Sequence, residues 1–183
     1  MTTTDNKPLS CTLAELGIPE DYASSRGLSP CPECSAPVET EPDVFGRMAR
    51  MHPQTFLAWQ TMRSAAQSEG ITLQLVSAYR SVEYQTQLIK NKLAKGQTLA
   101  QILAVNALPG YSEHHSGYAL DLGCPGYAHL EEEFEQSPAF RWLSDHAARY
   151  SFYLSYPRDN PWGVIYEPWH WCYRPAGSPH GEA

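Results

Sequence analysis

Two short segments, Ser112-Glu-His-His-Ser-Gly-Tyr-Ala-Leu-Asp121 and Glu167-Pro-Trp-His170, constrain this chain more than any other feature. Their side chains make joint chemical sense only if the fold brings them together. His114 and Asp121 are too far apart in sequence to share a helix face. Gly117 between them permits a turn. Tyr118–Leu122 then reads as a strand, with Ala119 and Asp121 on one face and Leu120 and Leu122 on the other. Taken alone, a His and an Asp in a polar loop more often make hydrogen bonds than bind metal. Glu167 and His170 add a second carboxylate and a second imidazole. His114, Asp121 and His170 then offer three ligands, with Glu167 beside them, which is the donor set of a hydrolytic metal centre. Pro168 keeps Glu167 out of the right-handed helical region, so the segment is extended. In a regular strand Glu167 and His170 would face opposite sides, so a bend or bulge must intervene if both address one metal.

The rest of the chain alternates helical and strand patterns. Phe56, Trp59, Met62 or Arg63, and Ala66 recur at helical spacing, which predicts a core-facing helix over Thr55–Ser68 ending at Gly70. Residues 71–77 alternate apolar and polar side chains, as a half-buried strand does. Ser81 is a candidate cap for a helix running to Lys95 and closed by Gly96. Thr98 caps a short helix through Ala104, and Pro109-Gly110 forms a turn. After an acidic loop at 131–135, Ser137-Pro138 opens a helix to Tyr150. Phe152–Leu154, Gly163–Tyr166 and Trp169–Tyr173 read as strands, close enough in sequence to pair antiparallel. The expected class is α+β.

At 183 residues the chain is long enough for one domain with a buried core. Residues 1–50, rich in Pro, Ser and Thr, read as an arm with little regular structure that packs across the domain, pinned by Leu9, Leu13, Leu16 and Ile18. Residues 51–175 form the domain itself and 176–183 a tail. The net charge of −7, from 13 basic and 20 acidic residues, argues against a duplex nucleic acid as partner. No stretch has the length and apolarity of a membrane span, and the N-terminus shows no secretory signal. As written, the expected compartment is the cytoplasm, or the periplasm or cell envelope if a signal precedes this sequence. The five cysteines make an odd count, against a disulfide framework. Cys31-Pro-Glu-Cys34 has the spacing of half a zinc knuckle, but no second close pair exists, so it reads as two reduced thiols in a Pro-rich loop. Cys124 and Cys172 trail the two converging segments and are expected near each other below the metal, as packing thiols.

Assembled, these residues resemble the VanY-type D-alanyl-D-alanine carboxypeptidases, zinc peptidases that share a fold with the hedgehog signalling domain. Ser112, His114, Gly117, Ala119 and Asp121 fill that group's Ser-x-His-x-x-Gly-x-Ala-x-Asp pattern, and Glu167 and His170 fill its Glu-x-x-His. Ser77-Ala-Tyr-Arg80-Ser81 with Gln85 looks like its upstream Ser-x-x-Arg-Ser segment, and Leu154-Ser-Tyr-Pro157 is similar to a stretch preceding the Glu-x-x-His. The resemblance covers roughly 55–175 and leaves the cysteine-containing arm without a counterpart.

The resemblance implies a hedgehog/DD-peptidase-like fold, with a small antiparallel sheet carrying the metal site and helices packed on it. It implies one catalytic Zn2+ held by His114, Asp121 and His170, and a metal-bound water activated by Glu167 as general base. Arg80 would grip the terminal carboxylate, because a guanidinium can make two parallel hydrogen bonds to it. Gln85 and Ser112 would add hydrogen bonds to the substrate. The activity implied is removal of a C-terminal D-alanine from peptidoglycan-type stem peptides ending in D-Ala-D-Ala. An L,D-carboxypeptidase acting on tetrapeptide muropeptides, a D,D-dipeptidase and a catalytically inactive zinc-binding module are the alternatives. The partner is a small peptide or muropeptide. His115 is expected to point away from the metal, Trp169 and Trp171 to pack, and His52, His129, His146 and His180 to be ordinary polar residues. Tyr118 and Tyr156 could line the pocket or lie in the core.

Overall fold

The computed structural model describes residues 8–162 and 164–175. Its centre is a four-stranded antiparallel sheet in the order β3-β4-β6-β5, where β3 is Gln74–Ser77, β4 Ala119–Gly123, β5 Phe152–Leu154 and β6 His170–Tyr173. The central pair fixes everything downstream. In the β4–β6 ladder Asp121 faces His170, Leu120 faces Trp171 and Ala119 faces Cys172. Side chains alternate across a strand, so Leu120, Leu122 and Trp171 enter the main core while Asp121 and His170 emerge together on the other face.

Helix α2, Pro53–Ser68, backs this core with Trp59, Met62 and Ala66, all fully buried. It starts earlier than the apolar spacing alone indicates, because Pro53 fills its first turn and the His52 side chain accepts from the Gln54 N–H. Helix α3, Val82–Ala94, is capped by the Ser81 hydroxyl, and α4, Leu99–Ala104, by a reciprocal Thr98–Gln101 capping box. The acidic stretch is a 3-10 turn over Glu132–Gln136, and Ser137 caps α5, Pro138–His146, which ends in a further 3-10 turn to Tyr150.

Three expectations change. The arm is more ordered than its composition indicates. It contains helix α1, Leu9–Glu15, and strands β1, Val38–Pro42, and β2, Met48–Met51, paired as a separate antiparallel hairpin. Leu16, Ile18 and Ala23 bury themselves against Ile89, Ile102 and Leu108 in a second core, with Leu13 packed on it. Val164–Tyr166 are not a strand: the Asn160 side chain takes up both backbone groups of Val164, leaving neither for a ladder. Gly163 lies outside the described residues, as do the tail from residue 176 and His180. Cys124 and Cys172 are not neighbours. Cys172 faces Ala119 at one end of β4, whereas Cys124 follows its other end. All five cysteines are free thiols. Among the described residues no helix is long and apolar enough to cross a membrane.

Candidate metal centre

His114 lies in a 3-10 turn, Glu113–Ser116, closed by Gly117 in the left-handed conformation with φ of 72°. A side chain at 117 would place its Cβ 2.7 Å from the His52 backbone nitrogen, so both the turn and the close approach of His52 require glycine. The turn delivers His114 beside the start of β4. Its Nδ1–H donates to the Ala78 carbonyl at 2.7 Å, leaving Nε2 as a buried lone pair with no hydrogen-bond partner. Burial, reinforced by the charge of Arg80 and opposed by Asp121, lowers the His114 pKa to about 4, so this ring is neutral near pH 7.

Asp121 reaches both imidazoles. Its Oδ2 is 3.2 Å from His114 Nε2 and its Oδ1 is 3.1 Å from His170 Nδ1. The His114 and His170 rings are nearly perpendicular, with centroids 4.9 Å apart. One ligand atom from each residue falls within a common span of 4.8 Å. Two ligands of one tetrahedral zinc, each about 2.1 Å from it, stand ~3.4 Å apart. The observed separations therefore need only small adjustment to admit the ion. The unpartnered Nε2 of His114 is the orphan such an ion would satisfy. Burial disfavours ionisation of Asp121, but His114, His170 and Arg80 outweigh it and hold the carboxyl well below the usual range.

The bend required between Glu167 and His170 is present. The His170 N–H donates to the Glu167 carbonyl at 3.1 Å, closing a turn immediately before β6, and brings Glu167 Oε2 to 3.8 Å from His170 Nδ1. Burial pushes the Glu167 carboxyl up to about 7, with Asp121 and Glu113 adding to it against His170 and Arg80. A carboxylate with that pKa can both accept and return a proton near neutrality.

Arg80 follows β3 and is held at both backbone groups. Its N–H donates to the His114 carbonyl, and its own carbonyl accepts from His115 Nδ1 at 2.6 Å. His115 thus turns away from the metal ligands, and its Nε2 accepts from the Gly110 N–H. The Arg80 guanidinium lies 3.5 Å from Asp121 Oδ2, and its Nε–H is buried with no partner. Gln85 departs from the expectation of a substrate contact. It is fully buried, its amide N–H donates to the Ala107 carbonyl, and its Oε1 accepts from Arg80, so it supports the arginine. Ser112, also buried, lines the cleft over the site, as do Tyr118 and Tyr156. Trp169 and Trp171 are core residues. Among the other histidines, His52 caps α2 and His146 stacks on Trp142.

Glu113 was not singled out in the sequence. Its Oε2 lies 2.8 Å from His170 Nε2, so both nitrogens of His170 face carboxylates. Burial alone would lower the His170 pKa; hydrogen bonds to and charges on Asp121 and Glu113 raise it instead to about 10. The residue lies between two motif positions, yet nothing local marks it, because its partner arrives from the far end of the chain.

A four-stranded antiparallel sheet with helices around it, presenting a His-Asp-His cluster and an adjacent glutamate, defines a hedgehog/DD-peptidase-like domain with a candidate metallopeptidase centre. The sequence model of the family described as VanY, D-alanyl-D-alanine carboxypeptidase, matches residues 48–176, and the chain belongs to that family. It is 35% identical over 124 residues to a D-alanyl-D-alanine carboxypeptidase of Enterococcus faecalis (strain ATCC 700802 / V583), covering 62% of this chain and 44% of that protein. The chain spans less than half the length of the first curated relatives it matches, 43% and 44%. Among solved structures it is similar to the LdcB LD-carboxypeptidase, with a TM-score of 0.69 and 30% identity over 77% of this chain and 69% of that one. It is also similar to a VanY D,D-pentapeptidase from a VanB-type vancomycin-resistance cassette, solved in complex with Zn(II), with a TM-score of 0.56 and 32% identity over 74% of this chain and 78% of that one.

Proposed function

We propose that this protein is a zinc carboxypeptidase that removes a C-terminal D-alanine from peptidoglycan-type stem peptides. The observation that carries the reading is the convergence of His114 Nε2, Asp121 and His170 Nδ1, with Glu167 beside them and Arg80 on the same cleft. The zinc-bound relative supports the choice of metal, and the donor set of two imidazoles and one carboxylate suits it. Bound there, zinc supplies a Lewis acid that polarises a carbonyl and acidifies water. The remaining work belongs to the chain's own side chains. Arg80, anchored by Gln85, receives the terminal carboxylate through its N–H groups and orients the last residue. Ser112 offers a hydroxyl along the same wall. Glu167 takes a proton from the attacking water and returns it to the departing amine, the transfer for which its raised pKa fits it. Residues 51–175 would carry this activity, with the arm packed against them.

A second reading, L,D-carboxypeptidase action on tetrapeptides, draws on the likeness to LdcB. Both are tested by incubating zinc-loaded protein with a panel of D-Ala-D-Ala pentapeptides and D-Ala-terminated tetrapeptides and following products by mass spectrometry. Loss of one alanine from the pentapeptides supports the first reading, and loss only from tetrapeptides the second. No release from any peptide would overturn both.

A further inference from the structure

The cleft over the metal centre encloses about 650 Å³, and the arm supplies part of its wall. Tyr22, Arg26, Leu28 and Cys31 all line it, although the family match begins only at residue 48. This wall is built into the fold. The Cys31 N–H donates to the Gly110 carbonyl at 2.7 Å, and the Cys34 N–H to the His115 carbonyl at 2.8 Å. Glu33 accepts from the Val82 N–H at the start of α3. Just before the wall begins, Leu16 and Ile18 are locked into the second core, and Ala23 joins them within it.

The arm runs outward from the chemistry. Cys31 neighbours Glu113 and Ser116 in the metal-binding turn. Arg26 is five residues earlier, so its Cα is within about 18 Å of that of Cys31. The Arg26 guanidinium lies over the Tyr22 ring, 3.8 Å from its centroid. Held over the ring, it still has N–H groups to offer an anion. Among the described residues no carboxylate pairs with it. Gly27, in the left-handed conformation, turns the chain directly after it.

Exposure gives the cleft a direction. The Arg80 side chain is 22% exposed and backed by the fully buried Gln85, so this end is closed. Arg26 is exposed, so the arm lies at the open end. A carboxypeptidase holds one residue beyond the scissile bond, and the longer part of its substrate must leave through the open end.

We propose that residues 22–32 form an upstream subsite in which Arg26, braced on Tyr22, binds a carboxylate on the part of the peptide N-terminal to the scissile bond. The inference rests on the carboxypeptidase reading for its polarity. The substrate class it selects is a peptide with two acidic groups: the terminal carboxylate for Arg80 and a second, side-chain carboxylate for Arg26.

The test compares two pentapeptides ending in D-Ala-D-Ala, identical except that one upstream side-chain carboxylate is free in one and amidated in the other. The wild-type protein should prefer the free acid by about twofold to fivefold in kcat/KM, carried by KM, as one charge-assisted contact at an exposed site allows. In Arg26→Ala the ratio should fall to about one, and Arg26→Lys should restore part of it. The same ratio measured as Kd, with zinc-loaded Glu167→Ala protein alone and combined with Arg26→Ala, reads the subsite without turnover. A ratio near one in the wild-type protein, or one unchanged by Arg26→Ala, would overturn the subsite. If neither peptide loses alanine, the carboxypeptidase reading fails, and the Kd ratio still decides whether Arg26 binds the carboxylate.

Discussion

Glu113 offers the sharpest check on how the metal centre is held. Its carboxylate faces His170 Nε2 at 2.8 Å, on the side of the ring away from Asp121. A carboxylate in that place fixes the proton on Nε2, leaves the Nδ1 lone pair for a metal, and locks the ring against rotation. Removing such a partner costs roughly 10–100-fold in metal affinity or activity. Two features of the site favour the lower end. The Glu113 side chain is 33% exposed, so water can replace part of the contact. Its loss also removes one of the groups that raise the His170 pKa, which weakens competition by protons for the ring. We therefore expect Glu113→Ala to weaken zinc binding about tenfold, or ~1.4 kcal/mol. Glu113→Gln keeps an oxygen that accepts from Nε2–H and should stay within about threefold of wild type. Competition against a chromophoric chelator measures both, with urea midpoints confirming an intact fold. An Ala variant with wild-type affinity would refute the orienting role. A Gln variant as impaired as Ala would show that the charge matters and the orientation does not.

Three further outcomes follow from the same geometry. Glu167→Gln should bind zinc normally while turnover falls by about 10²–10⁴-fold, as expected for loss of a general base; retained turnover would remove Glu167 from that role. His170, with its pKa raised to about 10, carries a proton in the metal-free protein, so zinc binding near pH 8 should release about one proton and affinity should climb with pH until that pKa is passed. Calorimetry in buffers of different ionisation enthalpy measures the release, and a value of zero would contradict the assignment. Gly117→Ala forces a side chain into left-handed backbone against His52 and should destabilise the fold by ~1–2 kcal/mol or more in urea titrations, with weaker zinc binding alongside.

Elements whose signals are local could be read from the sequence. Ser81 and Thr98 cap α3 and α4 as their chemistry dictates, and the alternation in Ala119–Gly123 assigns Asp121 to the face opposite Leu120 and Leu122. The bend before His170 followed from Pro168 and the need for both side chains to reach one point. What escaped depends on partners remote in sequence. Val38-Glu-Thr-Glu-Pro42 is polar and ends in proline, so only its pairing with Met48–Met51 reveals a strand. Helix α1 begins after Pro8 without a side-chain cap. Val164–Tyr166 carry strand-forming residues, but Asn160 captures the backbone first. Gln85 reads as a polar helix residue until Ala107 and Arg80 close around it.

The β4–β6 ladder sets Asp121 directly across from His170. A slip of one residue would turn either ligand into the core, so the pairing is all-or-nothing. Its complement is freedom elsewhere. Because backbone bonds on adjacent strands fix the ligand spacing, the exposed part of the connection after β4 can change length or composition, whereas Phe134, Ala139, Trp142, Leu143 and Ala147 further along it are held in the main core. Loops on such a scaffold can diverge while the ligand geometry stays fixed, and insertions grafted at the exposed Pro125-Gly126 should leave zinc affinity untouched.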